Sequence, residues 1–167
     1  MLITGSLKRK RAVHANGEIS MNGKALGIMG VSRIVGWRRL QVYEALYFTS
    51  DKVVVVRTAT GFQMGWGAGD AVTGWYKAKE QEERMGDLSV EELLSADINN
   101  FAITYEKIQK VELKKFGKGA FLNIYSQDKK HHWNLHRLSG SYKVEDFETF
   151  LQSIFGEKFE KSSFLKF

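Results

Sequence analysis

The chain has neither cysteine nor proline among its 167 residues. Without thiols there is no disulfide framework, no thiolate metal site and no cysteine nucleophile. A reducing compartment suits that absence, and a cytoplasmic location is the expectation. Average usage would supply about eight prolines, so turns must rely on Gly, Asn, Asp and Ser. Also missing is a run of about eighteen apolar residues, the length of a membrane span. Ala25 to Trp37 comes nearest, and Ser32 and Arg33 interrupt it. The basic cluster Lys8 to Arg11 leads into a polar stretch, which argues against a signal peptide. No internal repeat or low-complexity segment is present.

What is there is globular. Hydrophobic residues make up 43% and charged residues 26%, a balance that excludes disorder and gives one domain over residues 1–167. The net charge of +6 is unevenly spread. Residues 1–40 hold eight basic side chains and one acidic, a net +7, whereas residues 41–167 hold 17 basic and 18 acidic, a net −1. Such asymmetry points to an anionic partner, nucleic acid or a membrane surface. The plain alternative is a solvated basic extension.

Phe101 to His136 organises the chain. Val111 and Leu113 alternate with Lys110, Glu112 and Lys114; Leu122 and Ile124 alternate with Phe121, Asn123 and Tyr125; Trp133 and Leu135 alternate with His132, Asn134 and His136. A period of two puts one apolar row of each strand toward a core. Phe116–Gly119 and Ser126–Lys130 fall where hairpin turns are needed. Upstream, Gln41 to Ala59 reads as a second hairpin. Val42, Leu46 and Phe48 lie on one side of its first arm, Tyr43, Ala45 and Tyr47 on the other, and Thr49–Lys52 makes the turn. The unbroken run Val53–Val56 suits a strand buried on both faces or covered by a helix.

The remaining segments read as connections and caps. Asn16-Gly17 and Asn22-Gly23 are turn signals between very short strands, and Gly27 and Gly30 are expected to loosen the chain before Val31. Gly65, Gly67 and Gly69 follow a strand but lack the spacing of a dinucleotide fingerprint, so they read as a linker. Two helices are expected within 70–98. One runs from Ala71 to about Met85, and the other begins at the capping box Ser89-Val90-Glu91-Glu92, with Leu88 placed to staple onto Leu93. Val144, Phe147, Leu151, Ile154 and Phe155 recur at helical spacing within 143–156, and Gly156 suits the C′ position. The tail from Glu157 is expected to dock on the body or on a neighbouring chain.

Leu46-Tyr47-Phe48-Thr49-Ser50-Asp51-Lys52-Val53 resembles the first hairpin of small prokaryotic pleckstrin-homology-like (PH-like) domains. Ile103-Thr104-Tyr105-Glu106-Lys107-Ile108, leading into Gln109 to Leu113, resembles a strand entry of the same proteins. The resemblance covers Gln41 to Gly156 apart from the helical insertion. It implies an α+β fold: an antiparallel β-sandwich or partial barrel closed by a C-terminal capping helix. It also implies a binding or scaffolding role without chemistry. Phosphoinositide-binding members crowd basic residues into the first hairpin loop. Here Thr49–Lys52 has one acid and one base, so that specificity is not implied.

No nucleophile elbow, phosphate-binding loop or His-Glu-x-x-His helix occurs. His132 and His136 share a strand face, but four residues along a strand is about 13 Å, too far for one ion. No catalytic, cofactor or metal residues are assigned. The candidate anion or partner site combines Arg33, Trp37, Arg38 and Arg39 with Lys110 and Lys114 of a lysine strip that also takes in Lys107, Lys115, Lys118, Lys129 and Lys130. The plain reading of the strip is lysines guarding exposed strands. The leading expectation is a non-enzymatic module that binds protein or an anionic surface. Nucleic-acid binding through the basic N-terminal region and a small-molecule enzyme are the competing classes.

Overall fold

The computed structural model describes residues 26–36, 40–62, 88–116, 119–135 and 144–163, with the backbone alone at 59–62 and 163. The Lys8–Arg11 cluster, both Asn-Gly turns, the Gly-rich linker, the helix expected from Ala71, and Trp37, Arg38, Arg39, Lys118 and His136 lie outside the described residues.

Among the described residues, eight strands form one mixed sheet, accompanied by two α-helices, an α+β arrangement. β1 (Gly27–Val35), β2 (Leu40–Phe48), β3 (Lys52–Phe62) and β4 (Phe101–Thr104) make one antiparallel meander. β5 (Ile108–Phe116), β6 (Gly119–Ser126) and β7 (Lys130–Leu135) make another. The order across the sheet is β4-β3-β2-β1-β7-β6-β5-β8, where β8 is Phe159–Ser163 and runs parallel to β5. The tail therefore docks on the body as a strand, and the sheet is mixed where a wholly antiparallel one was expected.

The sheet cannot be flat. Six strand spacings separate β4 from β5, about 29 Å at 4.8 Å each. Yet only Tyr105, Glu106 and Lys107 join them, and a chain that short spans at most about 14 Å. The sheet must curl. Consistent with this, Phe101 of β4 stacks on His131 of β7, ring centroids 5.3 Å apart, although three strands lie between them in the sheet.

The inner face of the curl is the main core. It gathers Met29, Val31, Leu46, Phe48, Val53, Val55, Ile103, Val111, Leu113, Leu122, Ile124 and Trp133. The residues expected to point inward do so. A bulge between Ile108 and Lys110 shifts the alternation, so Ile108 joins the core as well. Helix α2 (Val144–Phe155) buries Leu151 and Phe155 against this core, and Phe48 meets Phe150 and Phe155 edge to face. Gly156 follows with φ 52°, a left-handed helix end that favours glycine.

β1 departs from its reading. Gly27 does not loosen the chain, because residues 27–35 form a continuous strand in the middle of the sheet. A Cβ at Gly27 would overlap the Phe150 ring, so glycine lets α2 approach β1 without displacing that ring.

Helix α1 (Val90–Ser95) covers the other face of β2 and β3. Ala45, Tyr47, Val54 and Val56 pack with Leu93 in a second cluster, which accounts for the unbroken valine run. The capping box is formed: the Glu92 N–H donates to Ser89 Oγ at 3.3 Å, and the Ser89 N–H donates to the Glu92 carboxylate at 2.7 Å. Asn100 ties the helix to the sheet, its amide donating to the Leu93 carbonyl at 2.7 Å and its oxygen accepting the Arg57 N–H at 2.8 Å.

Candidate anion-binding cleft between two strands

Glu44 sits in the middle of β2, on the same face as Leu46 and Phe48, and is 3% exposed. A carboxylate so buried must be paired. Arg33 of β1 forks onto it, Nε lying 3.1 and 3.0 Å from the two carboxylate oxygens and Nη2 2.8 Å from Oε1. The Trp133 indole N–H of β7 donates to Oε2 at 2.6 Å. Glu44 thus joins three strands at the point where the two meanders meet.

That meeting is brief. β1 and β7 share one registered pair, Ser32 with Asn134. Beyond it Arg33–Val35 continue beside β2, and Lys130–Trp133 continue beside β6. Between them lies a cleft of about 530 Å³ lined by Arg33, Ile34, Val35 and residues 129–134. Consecutive residues of both strands line it, and no registered pair joins them there, so it lies where the two strands part. Ile34, 49% exposed, stands at its wall.

Its electrostatics are one-sided. Lys129 lies over the Phe101 ring at 5.2 Å and Lys130 over Tyr125 at 5.0 Å, and neither has an ion pair among the described residues. Among the described residues no carboxylate lines the cleft. His131 is stacked between Phe101 and Trp133. Burial, then the charges of Lys129 and Arg33, push its pKa down to about 4, so the ring is neutral near pH 7. Across the strand, His132 Nδ1 lies 2.6 Å from Asn123 Oδ1. Partial desolvation, then Lys130 and Lys114, lower its pKa.

Of the expected site residues, Arg33, Lys110 and Lys114 are among the described residues. Arg33 reaches the cleft but is committed to Glu44. Lys110 and Lys114 do share the outward face of β5, with Glu112 between them. Lys110 is 2.6 Å from Glu160 and Lys114 is 3.4 Å from Glu112, while Lys115 contacts Glu145 and Glu148. Glu112 itself is nearly buried. Burial pushes its carboxyl up, but hydrogen bonds from Asn123 and Tyr125 and the Lys114 charge outweigh this and leave it below the usual range. β5 therefore presents alternating paired charges, not a bare cationic strip. Trp37, Arg38 and Arg39 fall outside the described residues.

Nothing in the local sequence sets Lys129 and Lys130 apart from the other lysines of the strip, and Glu44 is not among the expected site residues. The signal for Glu44 was a lone acid inside the apolar strand Leu40–Phe48. The cleft had no local signal, because strand divergence depends on partners about a hundred residues apart.

No protein-family model matches the chain, and no curated protein is similar to it in sequence.

Proposed function

We propose that this chain is a PH-like binding module, without chemistry of its own, that associates with an anionic partner through the cleft between β1 and β7. The fold part of this reading is supported by the strand order. A four-stranded and a three-stranded meander join through β1 and β7, the first passes to the second through a three-residue turn, and a C-terminal helix packs on the core. A reducing, cytoplasmic setting suits a chain without cysteine.

The observation that carries the functional part is the pair Lys129 and Lys130, two cations that, among the described residues, have no ion pair and stand at a cleft lined by no carboxylate. Lys110, Lys114 and Lys115 of β5 sit against acids, so an incoming anion would have to displace a partner there. At the cleft it would not. The test is association with polyglutamate and with vesicles of anionic or neutral headgroups, at two salt concentrations. Binding to an anionic probe that weakens with salt, and about tenfold with Lys129→Glu/Lys130→Glu, is the expected result. A parent protein that binds no anionic probe would sink the reading.

A further inference from the structure

We propose that the cleft takes an extended acidic segment of a partner protein as an added strand between β1 and β7. The inference rests on reading the cleft as the anion-binding surface and names its occupant.

The first argument is the backbone. Arg33–Val35 pair on one side with β2, and Lys130–Trp133 pair on one side with β6. Past Ser32 and Asn134 their other sides have no ladder partner among the described strands. Alternate N–H and C=O groups of both segments therefore aim into one cleft. Two open edges facing each other are a template for a guest strand, whose own N–H and C=O groups alternate between its two sides. A small anion would use the lysines and leave these groups to water.

The second argument is length and direction. Three to four residues of each edge are open, about 10–13 Å of strand, and about 530 Å³ lies within the range of ligand pockets. β1 and β7 are mutually antiparallel, so a guest must run parallel to one and antiparallel to the other. The sheet already holds a parallel pair in β5 and β8.

The third argument is charge. Successive side chains of a guest strand point to opposite faces. Those turned inward meet Lys129 and the aromatic wall of His131 and Trp133; those turned outward meet Lys130 and His132. Acidic residues at neighbouring positions thus each find a cation, one on either face. The buried acid behind the cleft, Glu44, is neutralised by Arg33 and does not oppose them. A basic segment would place its charges against Lys129 and Lys130.

The experiment uses the full chain and three seven-residue peptides: one of valine and glutamate with adjacent glutamates, its lysine counterpart, and the glutamate peptide N-methylated at alternate residues. The glutamate peptide is expected to bind. Binding should fall at least about tenfold on N-methylation, which removes about two main-chain hydrogen bonds, and by a similar factor with Lys129→Glu/Lys130→Glu. In the bound state, amides of residues 33–35 and 130–133 should gain protection from hydrogen exchange. Equal binding of the N-methylated peptide overturns the added strand, and equal binding of the lysine peptide overturns the acidic occupant. If the protein binds anionic vesicles but no peptide, the inference fails while the anion-binding reading stands. If it binds neither peptide, polyglutamate nor vesicles, both fail.

Discussion

Glu44 and Glu112 are both nearly buried carboxylates in the middle of strands, yet the two halves of the sheet treat them differently. Glu44 faces the main core and is held by a guanidinium fork and an indole. Glu112 faces outward, where no described helix covers the second meander. It takes hydrogen bonds from Asn123, Tyr125 and Ser162, with Lys114 at the rim. Where water is excluded, a fixed counter-ion must be built in. Where it is near, neutral donors and a half-exposed lysine suffice. The same contrast runs through the halves. β2 and β3 are packed on both faces by two hydrophobic clusters, whereas β5 to β7 are apolar on one face and polar on the other.

The largest effect should come from breaking the interior pair. Arg33→Ala leaves Glu44 buried without its cation and should cost about 3–5 kcal/mol in urea unfolding. A loss below about 1 kcal/mol would mean that water reaches Glu44. Next, Leu93→Ala tests whether α1 seals the outer face of β2 and β3. Removing that buried side chain should cost about 2–4 kcal/mol, and a neutral result would detach the helix from the stability of the sheet.

His131 sharpens the comparison through pH. Its folded pKa, about 4, lies below the ordinary value of 6.5. Above pH 6.5 neither state is protonated and the ring has no pH-dependent effect. As pH falls from 6.5 toward 4 the unfolded chain binds a proton that the folded chain refuses, so stability falls through that window and levels off below it. The full gap corresponds to about 3 kcal/mol, and partial hydration of the ring reduces this to about 1–2 kcal/mol. His131→Phe, compared with the parent, should remove that part of the slope between pH 6.5 and 4. An unchanged slope would place His131 in water.

The smallest effects belong to the outer face. Lys114→Ala should change stability by less than about 1 kcal/mol, because Glu112 keeps three neutral donors. A cost as large as that of Arg33→Ala would erase the distinction between the halves.

Much of this fold was legible in local pattern. Val111/Leu113, Leu122/Ile124 and Trp133/Leu135 alternate with period two, and each of those pairs lies in the core. The Ser89–Glu92 box and the Val144–Phe155 stripe act over one or three turns of helix and were equally readable. What was hidden is long-range. β8 has little alternation of its own, and β5, the strand it pairs with, lies about 50 residues upstream. Gly27 looked like a break because the Phe150 ring it makes room for comes from α2. The site was less legible than the fold. Arg33, Lys110 and Lys114 looked like free cations because their acids, Glu44, Glu160 and Glu112, are placed by strand pairing or strand-face geometry.

Amide hydrogen exchange of the free protein reports whether the sheet is open between β1 and β7. Residues 42–48, paired on both sides, should exchange slowly throughout. Within 33–35 and 130–133 slow and fast amides should alternate, the slow ones bonded to β2 or β6 and the fast ones facing the cleft. Uniformly slow exchange across both segments would contradict the account, since it would mean that the two edges are already paired.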